Sequence, residues 1–383
     1  MSRMKWTAAM GTRMSGARLE RAKASPAWRG DRFGDVLPRE EPKTWSALRE
    51  MIKGGSPHRV PKTPIPIVPR KGEELVARPE SGLRITWLGH STTLVEIDGH
   101  RVLLDPVFGP RSSPFSWAGP KRFHAPPLPL AELPPLDAVV LSHDHYDHLD
   151  YPTIVQLAQT EVAFVTPLGV GAHLELWGVD PARITELDWW ETHRIRDLEL
   201  TLTPARHFSG RSLTMSDRDH TLWGGWALRG RDHRVWFSGD TAMFPGFAEI
   251  GERLGPFDVA MIESGAYNVL WRDVHIGPEQ AVLASELVRA ELLLPVHWGT
   301  FDLALHGWTE PIERILQASR RRGVRLATPR PGESIEPSGE VPSERWWPEL
   351  DHQSAADAPL VATGLDESLV AQILALGQVA PTG

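Results

Sequence analysis

Nine consecutive residues, Ser142-His143-Asp144-His145-Tyr146-Asp147-His148-Leu149-Asp150, constrain this chain more than any other stretch. Three imidazoles and an inner carboxylate fall within six residues, directly after the apolar run Leu136 to Leu141. A short apolar run reads as a buried strand, so the loop leaves a sheet and can aim several side chains at one point. Imidazole nitrogen and carboxylate oxygen suit zinc, and one tight loop supplies several ligands at little ordering cost. The competing reading is a solvated His-rich loop. The 383 residues contain no cysteine, which removes disulfide frameworks, Cys-ligated zinc, iron–sulfur clusters and cysteine nucleophiles together. Any metal site must be built from His and carboxylates.

Three further residues stand in similar contexts. His207 follows Leu200-Thr201-Leu202, Asp240 follows Val235-Trp236-Phe237, and His297 follows Leu292-Leu293-Leu294-Pro295-Val296. The ends of strands are where sites assemble in open α/β sheets. Taken singly, each is more often a satisfied core or loop residue. Taken with the loop, five His and two Asp suffice for two metals at three or four protein contacts each, with a carboxylate free to bridge.

Strand signals at Ile85 to Leu88, Thr92 to Ile97 and Arg101 to Leu104 open the main body, the last two joined by the hairpin dipeptide Asp98-Gly99. Further strands are expected at Val162 to Val165, Leu198 to Leu202, Leu222 to Leu228, Arg234 to Phe237, Val259 to Ile262 and Leu292 to Val296. Helices are expected at about Asp150 to Gln159, Pro278 to Glu291 and Pro311 to Arg322. This alternation, with hairpins, reads as a mixed-sheet α/β protein. Residues 106–135 form a long Pro-, Ser- and aromatic-rich loop. Three segments follow: a basic Pro/Gly-rich arm over 1–80, a catalytic domain over 81–336, and a tail over 337–383 with one helix at Glu367 to Leu376.

The His-x-His-x-Asp-His loop with the later His, Asp and His resembles the metallo-β-lactamase superfamily. Within it, the chain is similar to the N-acylphosphatidylethanolamine-hydrolysing phospholipase D family over about Leu83 to Ile335. The likeness rests on strings such as Leu88-Gly89-His90-Ser91-Thr92, Gly119-Pro120-Lys121-Arg122, Leu187-Asp188-Trp189-Trp190-Glu191, Thr203-Pro204-Ala205-Arg206-His207, Ser238-Gly239-Asp240-Thr241 and Val296-His297-Trp298-Gly299. The resemblance implies an αββα sandwich with two zinc ions at one edge. His143, His145 and His207 would hold one ion, Asp147, His148 and His297 the other, and Asp240 would bridge them. It also implies phosphodiester hydrolysis by a metal-bridging hydroxide, with Asp147 and Asp240 orienting the attacking group and His275 contacting the phosphate or protonating the leaving alkoxide.

Two departures bear on the substrate. Leu270 precedes Trp271 where the family has Arg, in a segment two residues shorter before His275, and Ile262-Glu263-Ser264 puts an acid where the family is apolar. A lactonase or small-ester hydrolase on the same site is therefore the competing hydrolase reading. A diiron redox role is disfavoured by His145, which stands where oxygen-reducing relatives carry a carboxylate. A non-catalytic lipid-binding module would need a degraded ligand set.

Charge divides unevenly. Residues 1–71 hold 16 Lys/Arg and 6 Asp/Glu, and the remaining 312 residues carry a net −18. A basic arm on an acidic body either meets an anionic surface or stays solvated, wrapped on the body or loose. Lys121, Arg122, Arg206 and Arg211 are expected to offset the acidic body near an anionic lipid, with Tyr146 and Trp117 as further substrate contacts and Phe115 and Phe123 beside them. An acidic body without a recognisable module argues against nucleic-acid binding. No stretch approaches the ~18 apolar residues of a membrane span, and the first 25 residues lack a signal-peptide core, so a cytoplasmic location with peripheral membrane contact is expected. A homodimer is a further expectation.

Overall fold

The computed structural model describes residues 6–40, Arg49 and 53–377. Within the amino-terminal segment, β1 (Trp28–Arg29) and β2 (Arg32–Phe33) form a short antiparallel ribbon. A seven-stranded sheet follows. It is built from β3 (Leu83–Gly89), β4 (Thr92–Ile97), β5 (His100–Leu104), β6 (Ala138–Val140), β7 (Ala163–Pro167) and β8 (Ile184–Leu187), with β15 (Ser334–Ile335) added beside β3. The second sheet runs β14-β13-β12-β11-β10-β9, where β9 is Thr192–Ile195, β10 Leu198–Thr203, β11 Gly225–Arg229, β12 Arg234–Phe237, β13 Val259–Glu263 and β14 Leu293–Val296. Each sheet is antiparallel in one part and parallel in another: β5 to β8 and β12 to β14 are the parallel runs.

The period of two along each strand divides the core. Val95, Ile97, Val102, Leu104 and Val140 pack inward against Leu200, Leu202, Trp226, Val235 and Phe237 of the other sheet. Their neighbours Leu94, Leu103 and Val139 face outward onto Ile154, Leu157 and Leu174 from the helices Tyr151–Leu157 and Gly171–Leu176. On the opposite face, Trp236, Ala260 and Leu293 pack against the helices Gly246–Leu254, Pro278–Leu287, Glu310–Arg322 and Glu367–Gly377. The result is the αββα sandwich. Asp98 and Gly99, at φ 45° and 85°, make the expected tight turn between β4 and β5.

Several elements differ from the sequence reading. The strand expected at Leu222 starts only at Gly225, because Leu222 to Gly224 run beside the metal-site loop, where Gly224 N–H donates to Ser142 O at 3.1 Å. β8, β9 and the helix Gly246–Leu254 carry no strong local signal: the two strands are mostly polar and partly exposed, and the helix begins on Pro-Gly without a side-chain cap.

The described part of the basic arm lies on the body, held by its charge. Arg18 pairs with Glu186 and with Glu175 (2.6 Å), Arg21 with Glu191 (2.7 Å), Arg39 with Asp219 (2.8 Å) and Arg59 with Asp302 (3.0 Å). These cations meet the acidic body rather than standing free for an external anion. Gly11, at φ +72°, permits a close approach: a Cβ there would lie 2.1 Å from His173 Nδ1. Thr12 N–H donates to that same nitrogen at 3.0 Å. Residues 41–48 and 50–52 of the arm lie outside the described residues.

Candidate metal centre

The carboxyl ends of β5, β6, β12, β13 and β14 meet at one edge of the sandwich. Asp105, just past β5 with φ +39°, sets the base of the His-rich loop. It accepts hydrogen bonds from Ser142 N–H (2.7 Å) and Ser142 Oγ (2.5 Å), and its Oδ2 lies 2.7 Å from His148 Nδ1. Trp226 Nε1 donates to Leu141 O at 2.9 Å, so the second sheet grips the strand end from which the loop departs. Gly239, at φ +56°, lets Asp240 approach the loop: a Cβ there would lie 2.7 Å from the Cβ of Ser142.

Three overlapping groups of donors result, the atoms of each lying within 4.8 Å of one another: His143, His145, His207 and Asp240; His90, Asp147, His148 and His297; and Asp240, Glu263, His275 and His297. In the first, His145 Nδ1 lies 2.9 Å from His143 Nε2 and 3.2 Å from His207 Nε2, and Asp240 Oδ2 lies 3.9 and 3.7 Å from those two Nε2 atoms. In the second, Asp147 Oδ2 lies 3.0 Å from His90 Nε2, 3.2 Å from His297 Nε2 and 3.6 Å from His148 Nε2. Asp240 reaches this group too, at 3.1 Å from His148 and 3.2 Å from His297. All seven residues that the resemblance offers as ligands are thus together.

These residues fit a metal. Bonds of about 2.1 Å at tetrahedral angles put ligand atoms roughly 3.4 Å apart, near the middle of the separations found. His148 Nε2 and Asp240 Oδ1 are buried 3.1 Å apart without the alignment of a hydrogen bond to each other or to any other described residue, and imidazole nitrogens crowded this closely need a cation or a proton between them. Most of the rings are fixed from behind. His143 Nδ1 lies 2.9 Å from Ser142 Oγ, His207 Nδ1 2.8 Å from Val274 O, and His148 Nδ1 meets Asp105.

Electrostatics divides the rings. Burial, reinforced by His148 and His145, pushes His143 well below the ordinary histidine range, and burial with His145 and His275 does so for His207. Burial opposes charge on His148 and His297 as well, but Asp240 and Asp147 outweigh it, holding His148 well above the ordinary value and His297 at about 10. Against burial, Asp240 is kept well below the usual carboxylate range by His148 and His297, and Asp147 by His148, His297 and His90.

His90, Asp105 and Glu263 were not singled out as site residues from the sequence. Glu263, fully buried at the end of β13, lies 2.8 Å from His275 Nδ1 and 3.9 Å from His297 Nδ1, and burial followed by Asp240 raises its pKa. Of the expected substrate contacts, Trp117 is 76% exposed, its ring 5.3 Å from that of Phe115. Lys121 lines an open cleft of about 690 Å³ with Lys62, Arg111, Arg122 and Phe123. Arg122 itself is only 8% exposed and donates to Val107 O and His124 O. Tyr146 turns its hydroxyl to Arg211 O (2.5 Å) under the Arg211 guanidinium.

Arg206 and Arg211 are corrections: both are fully buried and donate to backbone carbonyls, so neither offers its charge to a substrate. Arg206 holds Pro38 O (2.7 Å) and Thr363 O (2.8 Å), and Arg211 holds Ala9 O (2.7 Å), Leu149 O (2.9 Å) and Asp144 O.

The family described as the Beta-lactamase superfamily domain matches residues 100–298. An uncharacterised Mycobacterium tuberculosis protein is 45% identical over 316 residues, 82% of each chain. N-acyl-phosphatidylethanolamine-hydrolyzing phospholipase D 1 of Caenorhabditis elegans is 42% identical over 249 residues, 62% of this chain and 69% of that one. Among solved structures, a metallo hydrolase from the archaeon Ignicoccus hospitalis superposes with a TM-score of 0.51 at 25% identity, covering 66% of this chain and 97% of that one.

Proposed function

The chain belongs to the metallo-β-lactamase superfamily, as a metal-dependent hydrolase, and from that premise we propose that it is a dinuclear zinc phosphodiesterase. Its favoured reaction is phospholipase D-type: water cleaves the bond between phosphorus and the ethanolamine oxygen of N-acylphosphatidylethanolamine, giving N-acylethanolamine and phosphatidic acid. The observation that carries this reading is Asp240, within hydrogen-bonding or ion-pair distance of donors from both groups. Similarity to the worm phospholipase supports the substrate class.

His143, His145 and His207 would hold one ion, Asp147, His148 and His297 the other, with Asp240 common to both. When bound, the ions lower the pKa of a water and offset charge developing on the phosphate oxygens. The carboxylates of Asp147 and Asp240, held deprotonated by their histidines, orient the attacking water and accept its proton. His275, its Nδ1 tied to Glu263, protonates the leaving alkoxide. The exposed Trp117 and the cationic cleft of Lys62, Arg111 and Lys121 receive the lipid surface, giving peripheral membrane contact.

One observation favours a second reading, a lactonase or small-ester hydrolase on the same centre. Glu263 adds a third carboxylate beside the donors, which weakens attraction for an anionic phosphodiester relative to a neutral ester. Mass spectrometry of products separates the two. The zinc-loaded protein, with Asp240→Asn as control, is given N-acylphosphatidylethanolamine vesicles, bis(p-nitrophenyl) phosphate and a lactone panel. Release of N-acylethanolamine with phosphatidic acid, lost in the variant, supports the phospholipase reading; turnover of lactones alone overturns it in favour of the second.

A further inference from the structure

The seven expected ligands do not exhaust the histidines at this edge. His90 stands in the turn between β3 and β4, just after Gly89 at φ +102°, and itself has φ +53°. That backbone is strained for a non-glycine residue and persists only where its surroundings over-determine it. Here they do. His90 N–H donates to Thr300 Oγ1 at 2.7 Å, and His90 O accepts from Trp87 Nε1 at 2.7 Å and from His297 N–H at 3.1 Å. His297 is left-handed as well, at φ +65°. Two strained residues are thus bonded backbone to backbone, and both rings converge on one carboxylate oxygen, Asp147 Oδ2, at 3.0 and 3.2 Å.

The ring of His90 is buried, 4.1 Å from the His297 ring centroid and edge-on to Phe301 at 5.2 Å. A neutral imidazole has one N–H to donate. His90 Nδ1 has no partner among the described residues, whereas Nε2 has Asp147. Asp147 in turn receives no backbone N–H: its hydrogen bonds among the described residues come from His90 and His297. Since His297 is itself an expected ligand, His90 is left, among the described residues, as the one group that can fix the Asp147 carboxylate from outside, as Asp105 does for His148.

We infer that His90 is a positioning residue of the metal centre, donating its Nε2–H to Asp147 Oδ2 and so presetting the carboxylate for the second ion. This rests on the two-metal reading above and adds an eighth residue to it. Outer hydrogen-bond partners of this kind change metal affinity by about 10- to 100-fold.

The test compares zinc bound per chain across a series of chelator-buffered free-zinc concentrations for the full-length wild type, His90→Ala, His90→Asn and His90→Gln. The Gln amide nitrogen reaches about as far as Nε2 and can donate. The Asn amide reaches only as far as Nδ1, but Asn tolerates the left-handed backbone, which makes it the folding control. The expected result is two zinc ions in wild type, the weaker of them bound about 10- to 100-fold more weakly in the Ala and Asn variants, and affinity largely restored by Gln. Unchanged affinity in the Ala and Asn variants overturns the inference while leaving the two-metal reading intact. Equal loss in all three variants overturns it by making His90 a ligand rather than a positioning residue. A single ion in the wild type removes the two-metal reading and this inference with it.

Discussion

Replacing Arg211 by Ala tests whether the amino-terminal segment supports the metal loop. Arg211 gives four hydrogen bonds to the carbonyls of Ala9, Asp144 and Leu149, and its guanidinium lies 4.1 Å from the Tyr146 ring centroid and 5.1 Å from that of Trp177. Removing the side chain leaves three carbonyls without this donor, at about 1 kcal/mol or more each, and forfeits about 1 kcal/mol of contact with the two rings. The loss should therefore be about 3–5 kcal/mol, within the range for disrupting a buried charged network. Arg211→Lys, which keeps the charge without the planar fork, should lose about half of that. Denaturant unfolding followed by tryptophan fluorescence gives the free energy, and hydrogen exchange at residues 143–149 reports the loop directly. A change below about 1 kcal/mol in the Ala variant, with loop protection unaltered, would refute the anchoring.

Asp105→Ala frees His148 Nδ1 and two bonds from Ser142, and should weaken zinc binding at the His148 group about 10- to 100-fold in calorimetric titration of the metal-free protein. Zinc uptake should be strongly pH-dependent. His148 and His297, raised in the metal-free chain, the latter to about 10, must give up their protons to become ligands, so loading at pH 7 should release about two protons and affinity should rise as pH climbs toward 10; titrations in buffers of different ionisation enthalpy count them, and no release would sink this account. Lys121→Ala should weaken binding to anionic vesicles about fivefold, since each surface cation contributes about 1 kcal/mol, with the difference vanishing in high salt and on neutral vesicles in a co-sedimentation assay.

What the sequence disclosed was what a short window contains. The His-rich loop, the strand before it and the hairpin at Asp98-Gly99 are all local. Asp105 obeys the same rule that drew attention to Asp240, a carboxylate just past an apolar strand, and that signal was present at Leu103-Leu104-Asp105. Glu263 was visible as an acid in an apolar context, but its bond to His275 is set by the packing of β13 beside β12 and β14. The fate of the basic arm was not legible in any window. Arg18 and Glu186 are 168 residues apart, Arg39 and Asp219 180 apart, and only the closed sandwich brings them into register.

That separation has a consequence in time. Thr12 docks on His173, and Arg39 on Asp219, so the first part of the chain to be synthesised binds to parts made much later. At about 5–20 residues per second, the ribosome needs on the order of 10–40 s to travel from one end of that gap to the other. Through that interval Arg18 and Arg39 are without their partners on the body. Arg206, which joins Pro38 O to Thr363 O, cannot make its last bond until translation has nearly finished. The loop bearing His143 to His148 is likewise spelled out well before Asp240 and His297, so the full set of donors exists only once the last strands of the second sheet have been made.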